Sequence, residues 1–216
     1  MVRSLIIFFI GFIALGNFME AQFNFQVGYN LNWSEFKQTN DFIDTYNHTH
    51  PELSTDMCRL HVLHGITLGL RYQLKIISVV CSWSNQSNNR YSIQPGISAG
   101  VSDFKRQLNF INNNYNLGIE SALGVFSIGS SLNLLNYRIK AEESSKDEKL
   151  QILNSNNLGA TIYSQLDFVV NSRMAIILRI NYSFLFNSYN INNLNSYLNI
   201  STAQTQGEKI NQFGIS

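Results

Sequence analysis

The chain has 216 residues, of which 44% are hydrophobic and only 13% are charged, and its formal net charge is +1. Charged residues are about half as frequent as the roughly 25% of an ordinary soluble domain, and Asn, Ser, Gln and Thr take their place. A nearly neutral chain offers no basic field, so we exclude nucleic acid as a partner. The length suffices for one domain behind a targeting segment.

Residues 1–21 have the pattern of an export signal. Arg3 precedes an apolar run from Leu5 to Leu15, and the small Ala21 stands before a regular alternation of polar and apolar residues. The run is shorter than the roughly 20 residues of a membrane-spanning helix, which favours a cleaved signal over a retained anchor. We assign residues 1–21 to the signal peptide and residues 22–216 to the mature domain.

The mature domain alternates with the period of two that is typical of β-strands. The predicted strands cover residues 22–35, 62–72, 77–84, 108–121, 125 onward to a blurred end near Leu135 and Tyr137, 158–170, 174–186 and 211–216. Several are longer than the usual five or six residues of a soluble strand and match a membrane-spanning strand. Because the last segment is shorter than the roughly 9 to 11 residues that span a bilayer, we expect the natural gene to continue past Ser216.

Short and long connections alternate along the chain. Strands two and three, four and five, and six and seven are joined by a few residues, whereas residues 35–61, 85–107, 140–157 and 187–210 are long, polar connections. This sorting is typical of outer-membrane barrels, with turns in the periplasm and loops outside. The spacing of Phe36, Phe42, Ile43 and Tyr46 predicts a short surface helix that ends at Pro51.

These features resemble the porin-like outer membrane protein β-barrel families of Bacteroidetes-type bacteria. The resemblance rests on the opening AQFNFQVGYN of residues 21–30, the aromatic-rich strands and the sorted connections. It implies an all-β fold, a closed antiparallel up-and-down transmembrane β-barrel of about eight strands, placed in outer-membrane lipid by the barrel assembly machinery. Closure is also a physical requirement, since backbone groups in lipid have no other partners. Such barrels usually end in an aromatic residue, and Ser216 departs from that.

The alternation predicts which side chains face lipid and which face inward. The lipid-facing set is Phe25, Leu68, Val79, Ile162, Leu178 and Tyr182, and the inward set is Gln26, Gly69, Ser78, Tyr163 and Arg179.

Four charged residues lie within strands, and all of them fall on the polar face: Arg71, Glu120, Asp167 and Arg179. Charge on the lipid face costs about 2 to 4 kcal/mol for Arg or Lys, so these residues are predicted to point inward. An eight-stranded barrel has an interior that side chains fill. We therefore predict an ion-paired plug, with Asp167 beside Arg179 and Arg71 facing Glu120; the alternative is a charged pore.

The histidines cluster, and a metal or catalytic site has to be considered. His48, His50, His61 and His64 lie close to Cys58, a set that suits zinc or copper. Their spacing matches no ligand template, and an extracellular loop is the simpler interpretation. We predict no catalytic residue, cofactor or metal. The predicted function is a non-enzymatic outer-membrane barrel, structural or surface-binding through its loops. A narrow solute channel is the alternative, and a lipid-modifying enzyme with His48 or His50 as general base is third.

The export signal leads to a prediction about the mature N-terminus. We expect the mature protein to begin at Gln22, because the alternation starts there and Ala21 is small enough for the cleavage site. N-terminal sequencing of membrane-purified protein checks this. Retention of residues 1–15 would contradict it and indicate a signal anchor.

Overall fold

The computed structural model describes residues 21–74, 76–96, 103–144, 149–171, 174–199 and 207–216. The predicted signal peptide thus lies, except for Ala21, outside the described residues. The strands are β1 (Ala21–Ser34), β2 (Val62–Leu74), β3 (Ile77–Gln94), β4 (Phe104–Leu123), β5 (Phe126–Glu143), β6 (Leu150–Asn171), β7 (Met174–Leu185) and β8 (Gln212–Ile215). The helices are α1 (Lys37–Thr49) and α2 (Asn192–Tyr197). Neither described helix is long and apolar enough to cross a membrane.

Each strand pairs antiparallel with the next, and β8 pairs with β1, so the sheet closes into an eight-stranded up-and-down barrel. The predicted fold class is confirmed. β8 is short and pairs with residues 31–34 of β1 and 180–183 of β7. Closure gives every strand a neighbour on both sides, although at the seam only residues 31–34 of β1 and 180–183 of β7 are paired with β8.

The two faces of the wall follow the predicted alternation. The outward set (Phe25, Leu68, Val79, Ile162, Leu178 and Tyr182) and the inward set (Gln26, Gly69, Ser78, Tyr163 and Arg179) are both confirmed. Phe25 is 67% exposed, whereas Ser78, on a strand of the same wall, is fully buried. The alternation along the strands therefore predicted correctly which side chains face the lumen and which face outward.

Short turns join β2 to β3, β4 to β5 and β6 to β7, and they lie at one end of the barrel, which we call the turn end. The opposite end is the loop end. The turn between β4 and β5 contains Gly124, whose φ of 71° lies in the region that favours glycine. A side chain at that position would strain the tight hairpin turn.

Two of the four predicted long connections are mostly strand, which corrects the sequence-based prediction. β3 runs to Gln94 and β4 begins at Phe104, within predicted connection 85–107. Likewise β5 runs to Glu143 and β6 begins at Leu150, within predicted connection 140–157. The long connections are the first, which holds α1, and the last, which holds α2. β3 to β6 therefore rise above the other strands at the loop end.

The cause of this error is an inversion of the alternation at a row of four asparagines. Asn85, Asn113, Asn136 and Asn156 are partners in register across β3 to β6, and we call them the asparagine row. On its turn side the outward residues are apolar, as Tyr115 and Leu134 show. On its loop side the inward residues are apolar instead, as buried Phe110 and Tyr137 show. The strands continue while the pattern that identifies them reverses.

The apolar residues of the loop side form a core that α1 closes. The predicted helix is present, but its surface position is wrong: Phe36, Phe42, Ile43 and Tyr46 are all buried. The Phe36 ring stacks on Tyr137 at 6.4 Å between centroids, and Tyr137 packs at 5.2 Å on Tyr189 of the last connection. We call this cluster the loop-end core. It forms because an apolar lumen must be covered from water.

This inverted packing leads to a prediction on β4. Phe110→Ala removes a fully buried inward ring and should lower the free energy of unfolding by about 3 to 5 kcal/mol. Ile111→Ala, the outward neighbour, should cost less than about half as much. Urea unfolding of the refolded barrel, followed by tryptophan fluorescence, measures both. Equal losses would show that the loop side of β4 has no preferred inward face.

Candidate functional site in the barrel interior

The structure places Arg71, Glu120, Asp167 and Arg179 on the inward face, in the turn-side half of the barrel. Arg71 is 6% exposed and Glu120 2%. Arg71 forms an ion pair with Glu120 across the lumen, although β3 separates their strands. Its Nη1 also lies 2.7 Å from Asp167 Oδ2. One guanidinium thus serves two carboxylates.

Arg179 does not pair with Asp167, so this part of the sequence-based prediction is wrong. The Arg179 guanidinium donates to Gln165 Oε1 at 3.0 and 2.7 Å. Gln165 Nε2 in turn donates to Asp167 Oδ1 at 2.8 Å. In register, Arg179 lies directly opposite Gln165, and Asp167 is the diagonal neighbour. The directly opposite residue is closer than the diagonal one, so Arg179 bonds Gln165. The Gln165 amide therefore lies between the Arg179 guanidinium and the Asp167 carboxylate.

Tyr163 completes the network. Its hydroxyl donates to Glu120 Oε2 at 3.2 Å, and its ring lies 4.6 Å from the Arg179 guanidinium. Six side chains therefore form a closed circuit: Arg71, Asp167, Gln165, Arg179, Tyr163 and Glu120, which we call the interior ring. The interior ring links strands β2, β4, β6 and β7. Its two guanidinium groups balance the charge of its two carboxylates. Buried charges are tolerated when they are paired and hydrogen-bonded in this way.

Sequence reasoning placed Tyr163 on the inward face but did not assign it to the network, and it did not single out Gln165. The available signal was Gly129, the cross-strand partner of Tyr163. The Tyr163 ring occupies the space that a Cβ at Gly129 would need. An aromatic residue facing a glycine across a strand pair packs its ring over the bare backbone. That pairing fixes the tyrosine where its hydroxyl reaches Glu120.

Between the interior ring and the loop-end core lies a layer of small polar side chains. A cavity of about 60 Å³, partly open, lies within this layer and is lined by groups such as Asn30, Ser82 and Asn114. Thr161 holds the layer together, accepting from Asn133 at 2.5 Å and bonding Ser183 at 2.6 Å. Such a cavity has room for a few water molecules. In the described part of the chain, the interior ring therefore lies on the turn side of this layer and the loop-end core on its loop side.

Glu208, from the last connection, fixes the closed loop end. Its carboxylate accepts from Thr39 N and Thr39 Oγ1, both at 2.7 Å, and from Gln38 N at 3.2 Å. These are first-turn donors of α1, which has no side-chain cap of its own. A carboxylate at a helix N-terminus satisfies free N–H groups and complements the dipole. Burial raises the pKa of Glu208, and the hydrogen bonds from Thr39 oppose that rise.

The histidines and Cys58 do not converge. His48 is exposed on α1, and His61 and Cys58 are exposed on the first connection. The His50 ring packs against the Tyr46 ring with 4.4 Å between centroids and an angle of 33° between planes. His64 points outward from β2 and bonds the Tyr29 hydroxyl at 2.5 Å. Among the described residues, no group of three His, Cys, Asp or Glu side chains could hold a metal ion.

Fold and interior together define the class: a small closed eight-stranded antiparallel barrel with a lumen filled by side chains. Two solved structures of Ail, the attachment invasion locus protein of Yersinia pestis, have a similar fold. The structure in complex with the heparin analogue sucrose octasulfate gives a TM-score of 0.51 at 10% identity, covering 91% of this chain and 96% of that chain. The second structure of Ail gives 0.50 at 12% identity with the same coverage. At such identities the likeness shows the fold alone.

No family model and no curated protein matches the chain. The resemblance drawn from sequence therefore holds at the level of a small eight-stranded barrel. The narrower grouping with Bacteroidetes-type families gains no support from a Yersinia protein and stays a prediction.

The interior ring leads to a prediction on stability. Arg71→Met leaves the buried Glu120 and the half-buried Asp167 without their cation, and should lower the free energy of unfolding by about 3 to 5 kcal/mol. Arg59→Met breaks the exposed pair with Asp44, whose atoms are 2.6 Å apart, and should cost about 1 kcal/mol or less. Adding Glu120→Gln to Arg71→Met should recover part of the loss. Urea unfolding of the refolded proteins measures all three variants.

Two outcomes would contradict this account of the lumen. Equal losses for Arg71→Met and Arg59→Met would show that the interior ring is solvated. A steady open conductance of the unmutated protein in planar bilayers would show that the lumen conducts ions.

Proposed function

We propose that this protein is a non-enzymatic outer-membrane barrel, closed to solutes, that serves a structural or surface-binding role through its loop end. The observation that carries the proposal is the apolar outer face, with exposed residues such as Leu117, Leu132 and Ile176 on three different strands. Water-exposed apolar surface of this extent is rare on soluble proteins, and lipid would cover it. On β6 this face runs over residues 158–168, about the 9 to 11 residues of a membrane-spanning strand.

The filled interior favours a closed barrel over the narrow channel that is the alternative. An ion moving along the axis would have to displace the interior ring and then the loop-end core. Neither obstacle is a single flexible residue. The interior ring is a circuit of ion pairs, hydrogen bonds and one cation–π contact, and the loop-end core consists of packed apolar side chains. Closure therefore follows from two independent kinds of packing.

The geometry around the histidines gives little support to a lipid-modifying enzyme. A general base must lie within hydrogen-bond reach of a nucleophile or a reacting group. In the described residues, His50 Nδ1 bonds Tyr46 O at 2.9 Å and Thr49 Oγ1 at 3.1 Å. Those partners hold the ring against the end of α1, so its Nδ1 is engaged within the helix.

The ligand of Ail in one structure is a heparin analogue, but the charges of this chain favour a different surface chemistry. Three cations of the described loop end are already paired: Arg59 with Asp44, Arg106 with Glu143, and Lys149 with Glu142. Local pairing weakens the positive field that draws a polyanion, and the formal net charge of the whole chain is only +1. We propose that the loop end contacts uncharged, hydrogen-bonding ligands rather than sulfated ones.

The two free cysteines test the membrane location. Cys58 is exposed on the first connection, and Cys81 is exposed on the outer face of β3 among apolar residues. On intact cells, a membrane-impermeant charged maleimide should label Cys58 in a Cys81→Ser variant. It should not label Cys81 in a Cys58→Ser variant until the protein is denatured, because lipid covers that thiol.

Each single-cysteine variant is the control for the other. Labelling of native Cys81 as fast as Cys58 would mean that water reaches the outer face, and the membrane location would be wrong. Absence of labelling at Cys58 on intact cells would mean that the loop end is not at the cell surface.

A further inference from the structure

A groove on the outer wall lies at the asparagine row and is separate from the interior. Its volume is about 580 Å³, and its lining is Trp83, Asn113, Tyr115, Asn136, Arg138 and Asn156. Trp83 and Tyr115 are partners in register on the turn side of the row. Arg138 lies on its loop side, between Ile111 and Asn154 on the neighbouring strands. The groove thus has aromatic rings at one edge and a guanidinium at the other.

Arg138 differs from the arginines that form ion pairs elsewhere in the barrel. Arg59, Arg71 and Arg106 each pair with a carboxylate. No residue of the described chain forms an ion pair with Arg138, and its Nε is buried without a hydrogen-bond partner. A guanidinium carries five N–H donors in a planar fork that matches the oxygens of a phosphate or carboxylate. Leaving a buried donor unmatched costs free energy, so an acceptor bound in the groove would be stabilised by Arg138.

The asparagine row adds further donors. Asn85 Nδ2 donates to Asn113 Oδ1 at 2.7 Å, and Asn136 Nδ2 donates to Asn156 Oδ1 at 2.8 Å. These bonds occupy the carbonyl oxygens of Asn113 and Asn156 and leave their amide Nδ2 groups as donors facing the groove. Two of the four amide oxygens in the row are therefore engaged within it. Together with the Arg138 guanidinium, the free Nδ2 groups of Asn113 and Asn156 give the groove several N–H donors, which suit an anion.

The position of the groove indicates where that anion comes from. The outward face is apolar on the turn side of the row, beginning with Trp83, Tyr115, Leu134 and Leu158. Trp and Tyr concentrate at the level of lipid headgroups, with an apolar body toward the chains. If the barrel spans a membrane as proposed above, Arg138 and the row lie at headgroup height. The rings then line the path of an acyl chain that descends from a headgroup bound at Arg138.

We propose that this groove is a binding site for the phosphate of an anionic lipid headgroup. The inference rests on the proposed membrane location. Arg138 supplies the charge-assisted hydrogen bonds, the Asn113 and Asn156 amides supply neutral ones, and Trp83 and Tyr115 contact the acyl chain. Arginine is the residue that recognises phosphate most specifically through paired N–H groups. The site selects the lipid by its phosphate and its chain together.

Quenching of Trp83 fluorescence tests the site in maltoside micelles. The background variant Trp33→Phe leaves Trp83 as the reporter, since the chain has two tryptophans. The probes are phosphatidic acid with brominated acyl chains and the matching brominated diacylglycerol, which differs only by the phosphate. Phosphatidic acid should quench Trp83 at a mole fraction about tenfold lower than diacylglycerol, a difference that one charge-assisted pair can supply.

Two substitutions on β5 isolate the guanidinium. Arg138→Gln should abolish the preference for phosphatidic acid. Lys140→Gln, two residues away on the same outward face, should leave it within about twofold, because Lys140 does not belong to the lining of the groove. Both positions are on the outside of the wall, and heat-modifiable gel mobility confirms that each variant folds.

Three results would overturn the proposal: equal quenching by the two lipids, an unchanged preference in Arg138→Gln, or displacement of phosphatidic acid by an equal concentration of inorganic phosphate. The third would make the groove a site for free phosphate instead of lipid. Failure of the membrane location is distinguishable, because it appears in the cysteine labelling of intact cells and not in this micelle experiment.

Discussion

An eight-stranded ring has a lumen only about as wide as the side chains that face each other across it, and this width decides where the charges of the chain can go. Arg71 reaches Glu120 and Asp167 on strands that are not its neighbours in the sheet. In a wider barrel, water would separate these groups and each would be solvated alone. Here the desolvation cost can be offset only by direct pairing, so the cations and carboxylates are held in one circuit with Gln165 and Tyr163.

The same width explains why the barrel changes character along its axis. In the proposed membrane location, lipid around the turn-side half favours apolar residues outside, and the narrow lumen then takes the polar ones. β3 to β6 continue past the asparagine row, where water would surround the wall. There the inward face carries the apolar residues instead of the outward face. Apolar side chains there have no place except the lumen. A ring open at its end would expose them, so α1 and the last connection fold over the mouth and complete the loop-end core.

Local periodicity was sufficient to predict the strands of the turn-side half, because each strand there keeps one relation between sequence position and face. It failed where the relation inverts: Leu135 and Tyr137 follow the outward Leu134 and point inward, so the predicted strand has a blurred end there and residues 140–157 were predicted to be a connection. The partners of Asp167 could not be predicted either, since they depend on register and on the distance across the lumen. Arg138 was missed for the same reason as the loop-side strands, because its outward direction is set by pairing with β4 and β6.

The closure of the ring also positions its own lid. β1 and β8 meet at the loop end, where Ser34 pairs with Gln212. α1 begins at Lys37, just after Ser34, and Glu208 lies just before Gln212, so the closing pair brings the carboxylate to the helix N-terminus. α1 cannot cap itself, because its N-cap position is Phe36, and it obtains its cap from a residue distant in sequence but fixed by the seam. The helix is thus stabilised where it lies only once the first and last strands have paired, which makes the covered loop end a consequence of barrel closure rather than of a preference in the loops themselves.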